Sequence, residues 1–139
     1  MSYLGYKSWH ESHANKHKKV VNKLSHLSSD EIINYFYFDN MVKNEPDFCL
    51  LYKENKRCHD YKDLNCYLCA CPNFRVTKTK SFCDINSKDG SSIKADDGYT
   101  HQDCSKCIVP HKKDYVMTHY NRDWNKIFKK TFYKNDLLF

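Results

Sequence analysis

The chain is poor in glycine and proline, with three of each in 139 residues. So few glycines leave no room for a glycine-rich phosphate loop. No Ser-His-Asp constellation can be read from the sequence either. No apolar run approaches the ~20 residues of a membrane span. The opening stretch, MSYLGYKSWHESHANKHKKVV, lacks the apolar segment of a secretory leader. These absences lead to the expectation of a cytoplasmic protein with no membrane association.

Cysteine is what the chain has instead. It has eight, together with eight histidines. An even cysteine count would suit a four-disulfide framework in a secreted chain. Cytoplasmic thiols are kept reduced, so metal binding is the better expectation. Aromatics make up 15% of residues, with 11 Tyr and 8 Phe, and can supply a core despite a polar average. Charge is uneven along the chain. Residues 1–27 carry five Lys against Glu11, and residues 111–139 carry seven Lys and Arg against three Asp. Each flank is therefore +4, which leaves −2 for residues 28–110 of the +6 total. Basic flanks suit solubility, and they also suit a polyanion partner.

The length fits one domain with helical extensions. Residues 1–47 read as an N-terminal basic helical extension. Within it, 9–27 form a short amphipathic helix with Val20, Val21, Leu24 and Leu27 as its stripe. His10, His13 and His17 share one face of that helix; the face is expected to be solvated, with metal ligation as the alternative. Ser28 and Glu31 have capping-box spacing, so a second helix opens there. Its Ile32–Phe38 run would also suit a strand. Pro46 ends the element. Residues 48–115 form a cysteine-rich metal-binding module. Asp-Gly pairs at 89–90 and 97–98 mark a loop or hairpin between Cys83 and Cys104. Residues 116–139 read as a C-terminal amphipathic helix packed on the module, with Asp114 as N-cap candidate. Its stripe is Tyr120, Trp124, Ile127, Phe128 and Phe132, and its DLLF tail is a packed end or a small docking surface. The expected fold is a small irregular α+β module, zinc-finger-like and metal-stabilised, with short strands and loops and a helix on either side.

Two C-x2-C pairs carry the chemistry: Cys66/Cys69 and Cys104/Cys107. In such a pair a tight turn aims two thiolates at one ion. Cys49, Cys58, His59, Cys71, Cys83 and His111 bring the candidate ligands to ten. A structural zinc takes four, so two ions would leave two donors spare. In an extended stretch, Cys69 and Cys71 point opposite ways and so face different ions. His111 follows Cys107 closely enough for a C-x2-C-x3-H run. His59 adjoins Cys58, and adjacent residues rarely ligate one ion together, so one of the two is expected outside the coordination shell. His101 is a weaker candidate. An Fe–S cluster is the rival cofactor; the histidines favour zinc. A thioredoxin-type redox pair lacks its strand–C-x-x-C–helix context.

CHDYKDLNCYLCACPNF followed by DCSKCIVPH resembles the cysteine-rich small domain, a prokaryotic family associated with metal binding. Its hallmarks are a Cys-His pair, an N-C-x2-C-x-C-P block, one intervening Cys, and a D-C-S-x-C-x2-P-H block followed by Tyr. Here they fall at Cys58-His59, Asn65 to Pro72, Cys83, and Asp103 to His111 with Tyr115, covering roughly residues 49–115. Lys53 stands where the family has a cysteine, so Cys49 would take that role from a longer loop. Arg57 replaces the family's proline. The resemblance implies a zinc-finger-like module without a defined activity. Some members are linked to cobalamin metabolism, with a suggested phosphatase role.

The leading expectation is a protein with two structural zinc ions that acts by binding a protein partner. The alternatives are a metal-assisted phosphatase or hydrolase, a nucleic-acid-binding module using Lys16, Lys18, Lys19, Lys126, Lys129 and Lys130, and a metal store or sensor. An enzyme needs an open coordination position, and the surplus of donors argues against one.

Overall fold

The computed structural model describes residues 3–133. Lys134 and the DLLF tail lie outside them. The described chain is a small α+β fold of five α-helices, two short 3-10 helices and two separate antiparallel hairpins.

Helix α1 spans Tyr3–Lys23, longer than the sequence pattern suggested. Its buried stripe is His13, His17, Val20 and Val21, continued by Leu24 beyond the helix end. The face expected to be solvated is thus an inward face. His17 sits among the rings of Phe36, Tyr67 and Trp124, with centroids 5.3, 4.6 and 5.0 Å away. His13 packs on Phe48 and Trp124. Neutral imidazole is flat and weakly polar, so it can take an aromatic's place in such a core. The sequence hid this because histidine ordinarily counts as polar in a periodicity reading.

Helix α2 (Ser29–Tyr35) opens on the capping box that the sequence predicted. Ser28 Oγ accepts the Glu31 N–H, and Glu31 accepts the Ser28 N–H. Phe36 ends α2, and α3 (Phe38–Asn44) restarts one residue after Tyr37. Ile32–Phe38 therefore splits between two helices and is not a strand. The junction between them has a further use. The Cys66 N–H donates to Phe36 O at 2.8 Å, and the Phe38 N–H donates to Leu64 O at 3.0 Å. This short bridge pins the approach to the first C-x2-C pair against the helical layer. Phe36, Ile32, Met41, Leu64, Tyr67 and Leu68 are fully buried around it. Each contributes about 1.5–3 kcal/mol by leaving water.

Strands β1 (Phe74–Val76) and β2 (Ser81–Cys83) form the first hairpin, and β3 (Ser91–Lys94) and β4 (Thr100–Asp103) the second. The predicted hairpin between Cys83 and Cys104 is present. Gly98 sits at its tip with φ +88°, a conformation glycine adopts without penalty.

After a 3-10 turn at Val109–His111, the C-terminal segment departs from expectation. In place of one helix there are α4 (Lys113–His119) and the single turn α5 (Trp124–Ile127). Asp114 lies in the first turn of α4, and Lys112 is the N-cap. Asn121 and Asp123 cause the break: Asn121 Oδ1 accepts the Asp123 N–H, and Asp123 Oδ1 accepts the Asn125 N–H. Such side-chain bonds to local amides compete with helix continuation. Phe132 leaves the stripe and forms a parallel bridge with Val76. One core gathers residues from α1, α2, α3, the cysteine-rich stretch, α4 and α5.

Candidate metal centre

The first C-x2-C pair is built around Asn65, whose side chain is fully buried. Its Nδ2–H donates to Ile33 O at 2.9 Å, and its Oδ1 accepts the Tyr67 N–H at 2.9 Å. The side chain therefore ties the end of α2 to the turn that carries Cys66 and Cys69.

All eight cysteines are free thiols. Cys49, Cys58, Cys66 and Cys69 border a small space of 40 Å³. Burial, and then the thiols of Cys66, Cys58 and Cys49, push the Cys69 thiol far up. Burial is also the main cause that lifts Cys66, to about 12, with Cys58 and Cys49 adding to it. The Cys58 residue is exposed, but its thiol is shielded enough that burial, with Cys49, lifts it to about 11.

Cys71, Cys83, Cys104 and Cys107 border a different and larger cavity of 330 Å³, which Cys69 also reaches. Burial lifts Cys104 to about 12, with Cys71, Cys107 and Cys83 adding to it. Burial lifts Cys71 to about 11, and Cys83 and Cys107 add to this against the backbone amides of Asn73 and Phe74. The thiols that oppose one another's ionisation thus belong to the same four. Thiols this crowded ionise poorly by themselves, and a cation placed among them reverses the balance.

Cys69 and Cys71 both border the larger cavity, and the backbone between them is not the extended alternation expected. Cys71 has φ +57°, a left-handed turn residue, not one in an extended alternation. The turn closes with the Cys71 N–H donating to Leu68 O at 2.9 Å.

The histidines give the tightest cluster. Among the described residues, Cys58, His59 and His111 bring their ligand atoms within 4.8 Å of one another and could hold a metal ion. His59 Nδ1 lies 3.0 Å and His111 Nε2 3.8 Å from Cys58 Sγ. His111 thus comes to Cys58 while also bordering the larger cavity with Cys104 and Cys107. Adjacent Cys58 and His59 turn toward the same point. No family model, no curated protein and no solved structure matches the chain. The family resemblance therefore rests on the motifs alone.

His101 stands apart from these clusters: its Nδ1 bonds Tyr6 Oη at 2.6 Å, and its ring packs on Tyr99. Three further residues at the sites carried no sequence signal for that role. Tyr52 is buried beside Cys49, Cys66 and Cys69, and its hydroxyl has no oxygen or nitrogen partner. Ser87 meets the second four: its N–H lies 3.5 Å from Cys83 Sγ, and its Oγ 3.4 Å from Cys107 Sγ. Asn73 donates Nδ2–H to Tyr115 Oη at 2.6 Å; burial raises the Tyr115 phenol to about 12, with the Cys71 thiol adding to it. Tyr52 lies in a 3-10 turn and Ser87 in a loop. Cys49 and Cys83 are their near neighbours in the chain, and folding brings Cys66 and Cys69 to Tyr52 and Cys107 to Ser87.

Proposed function

We propose that this protein is a zinc-binding module of the cysteine-rich small domain type, with two structural ions. Cys49, Cys58, Cys66 and Cys69 hold one ion, and Cys71, Cys83, Cys104 and Cys107 hold the other. The observation that carries this reading is that the thiols raise one another only within two sets of four, each containing one C-x2-C pair, although Cys69 borders both cavities. The buried Tyr52 hydroxyl supports it, because a metal-bound thiolate is a better acceptor than a neutral thiol. Zinc suits all-sulfur sites of four. The histidines are then the two spare donors.

Metal binding supplies much of the folding free energy of the irregular segment from 48 to 111. An ion surrounded by four sulfurs has no open position, so the module acts through its surface, by binding a protein partner. Metal analysis and native mass spectrometry on protein purified without added metal test the reading. Two zinc ions per chain are expected; an iron-containing brown protein overturns it.

A further inference from the structure

We propose that Cys58 Sγ, His59 Nδ1 and His111 Nε2 form a third metal site, which binds one exchangeable divalent cation with a coordination position left open. This goes beyond the two structural ions and rests on that reading only in treating Cys58 as shared.

The case begins with the protons. His59 Nε2 lies 2.8 Å from Cys104 O, and His111 Nδ1 lies 2.8 Å from Asn65 O. A carbonyl only accepts, so each of these nitrogens carries the N–H. A neutral imidazole has one N–H, so the other nitrogen of each ring holds a lone pair. Both of these nitrogens face Cys58 Sγ. Cys58 cannot serve both lone pairs: as a thiol it has one proton to give, and as the thiolate of the first ion it has none. A cation satisfies both rings and the sulfur together. Donating the far N–H to a backbone carbonyl is also the usual arrangement of a metal-bound histidine.

The donor set is two nitrogens and one sulfur, which selects borderline cations such as zinc, cobalt or nickel over magnesium and calcium. Three protein ligands leave a fourth position for water or an exogenous donor. His59 and His111 both line the 330 Å³ cavity, whose walls include Trp9, Phe74 and Phe132. An incoming ligand would therefore be a small donor, such as an azole, with an apolar body. Cys58 is exposed, so the ion can exchange with solvent. Its sulfur bridges this ion and the ion of the first four thiols.

The test adds cobalt(II) to the full-length protein that already carries its tightly bound ions. The wild type should take up one further ion, with visible bands of sulfur–nitrogen coordination that shift when imidazole is added. His59→Ala and His111→Ala should lose that uptake and keep the tightly bound ions, counted by native mass spectrometry. His59 is only half-buried, so its variant tests the site even if His111→Ala fails to fold. Wild type that takes up no further ion overturns the proposal, and so does a folded His59→Ala that still takes one. The readout is the difference between wild type and variant after cobalt. The count before cobalt tests the two-zinc reading separately.

Discussion

His111 and Asn65 are joined by two hydrogen bonds. The Asn65 N–H donates to His111 O at 3.1 Å, and His111 Nδ1–H donates to Asn65 O at 2.8 Å. The pair fixes the imidazole against the residue that begins the first cysteine turn. One end of this contact holds the ring toward Cys58, and the other holds the turn to α2.

Asn65→Ala should therefore destabilise strongly. It leaves Ile33 O and the Tyr67 N–H buried without their partners, at about 1–3 kcal/mol each. Thermal unfolding measures the loss. Zinc release at a lower temperature than in wild type should accompany it, because the same side chain shapes the Cys66–Cys69 turn. An unchanged midpoint would show that water replaces both bonds.

Cys66→Ser and Cys71→Ser should loosen different ions. Cys66 stands with Cys49, Cys58 and Cys69, and Cys71 with Cys83, Cys104 and Cys107. Each single variant should retain one zinc tightly, and the double variant none. Hydrogen exchange should rise around 49–69 in the first and around 71–107 in the second. Loss of both ions from either single variant would point to one coupled cluster.

Removing metal should unfold the cysteine-rich segment more than the helical layer. Chelation is expected to abolish protection in the two hairpins, since each has only three or four residues per strand. Part of the helical signal in circular dichroism should survive, because Val20 and Val21 of α1 share one core with Ile32 of α2 and Phe36, and His17 packs on the Phe36 ring. Full retention of structure in both parts would count against structural ions.

Acid should weaken the fold through α1. Burial lowers His13 to about 3 and His10 and His17 to about 4. The unfolded chain takes up protons near pH ~6.5, ahead of the folded one. The stability tied to these neutral rings is thus complete above that pH and falls as pH drops toward 4. The limit is about 1.4 kcal/mol per pH unit for each fully coupled ring. His17→Leu should show a shallower fall in midpoint between pH 7 and 5, at roughly these values. Metal loss in acid affects both proteins, so the difference in slope isolates the histidine. Equal slopes would remove His17 from the account.

Packing of α1 against α5 makes a groove lined by Lys18 and Arg122 and also by Glu11 and Asp123. The mixed signs predict weak polyanion binding. Retention on a nucleic-acid column should be slight and steeply salt-dependent. Charge reversal at Lys18 and Lys19 should reduce it further. Tight, salt-independent retention would favour a nucleic-acid partner read by means other than phosphate charge.

Local chemistry was legible in the sequence. The Ser28/Glu31 capping box, the break after Asn44, and the Asp97-Gly98 turn each depend on neighbours a few residues apart, and each formed as read. The same holds for the two C-x2-C pairs as units. The ten candidate ligands were also all present in the pattern, but their partnerships were not. His111 is 53 residues from Cys58, and Cys49 is 20 from Cys69, so nothing local assigns them. The buried histidine face of α1 was hidden in the same way, because its aromatic neighbours come from α2, the cysteine stretch and α5. The break at Asn121–Asp123 overrode an apolar period that continued through it, since two side-chain bonds to nearby amides outweighed one more turn of helix. Sequence alone determined which residues carry donor atoms and where the chain turns, since both depend on residue type and short spacing. Tertiary structure decided which donors meet and which histidines are sealed from water, because those depend on contacts between segments far apart in the chain.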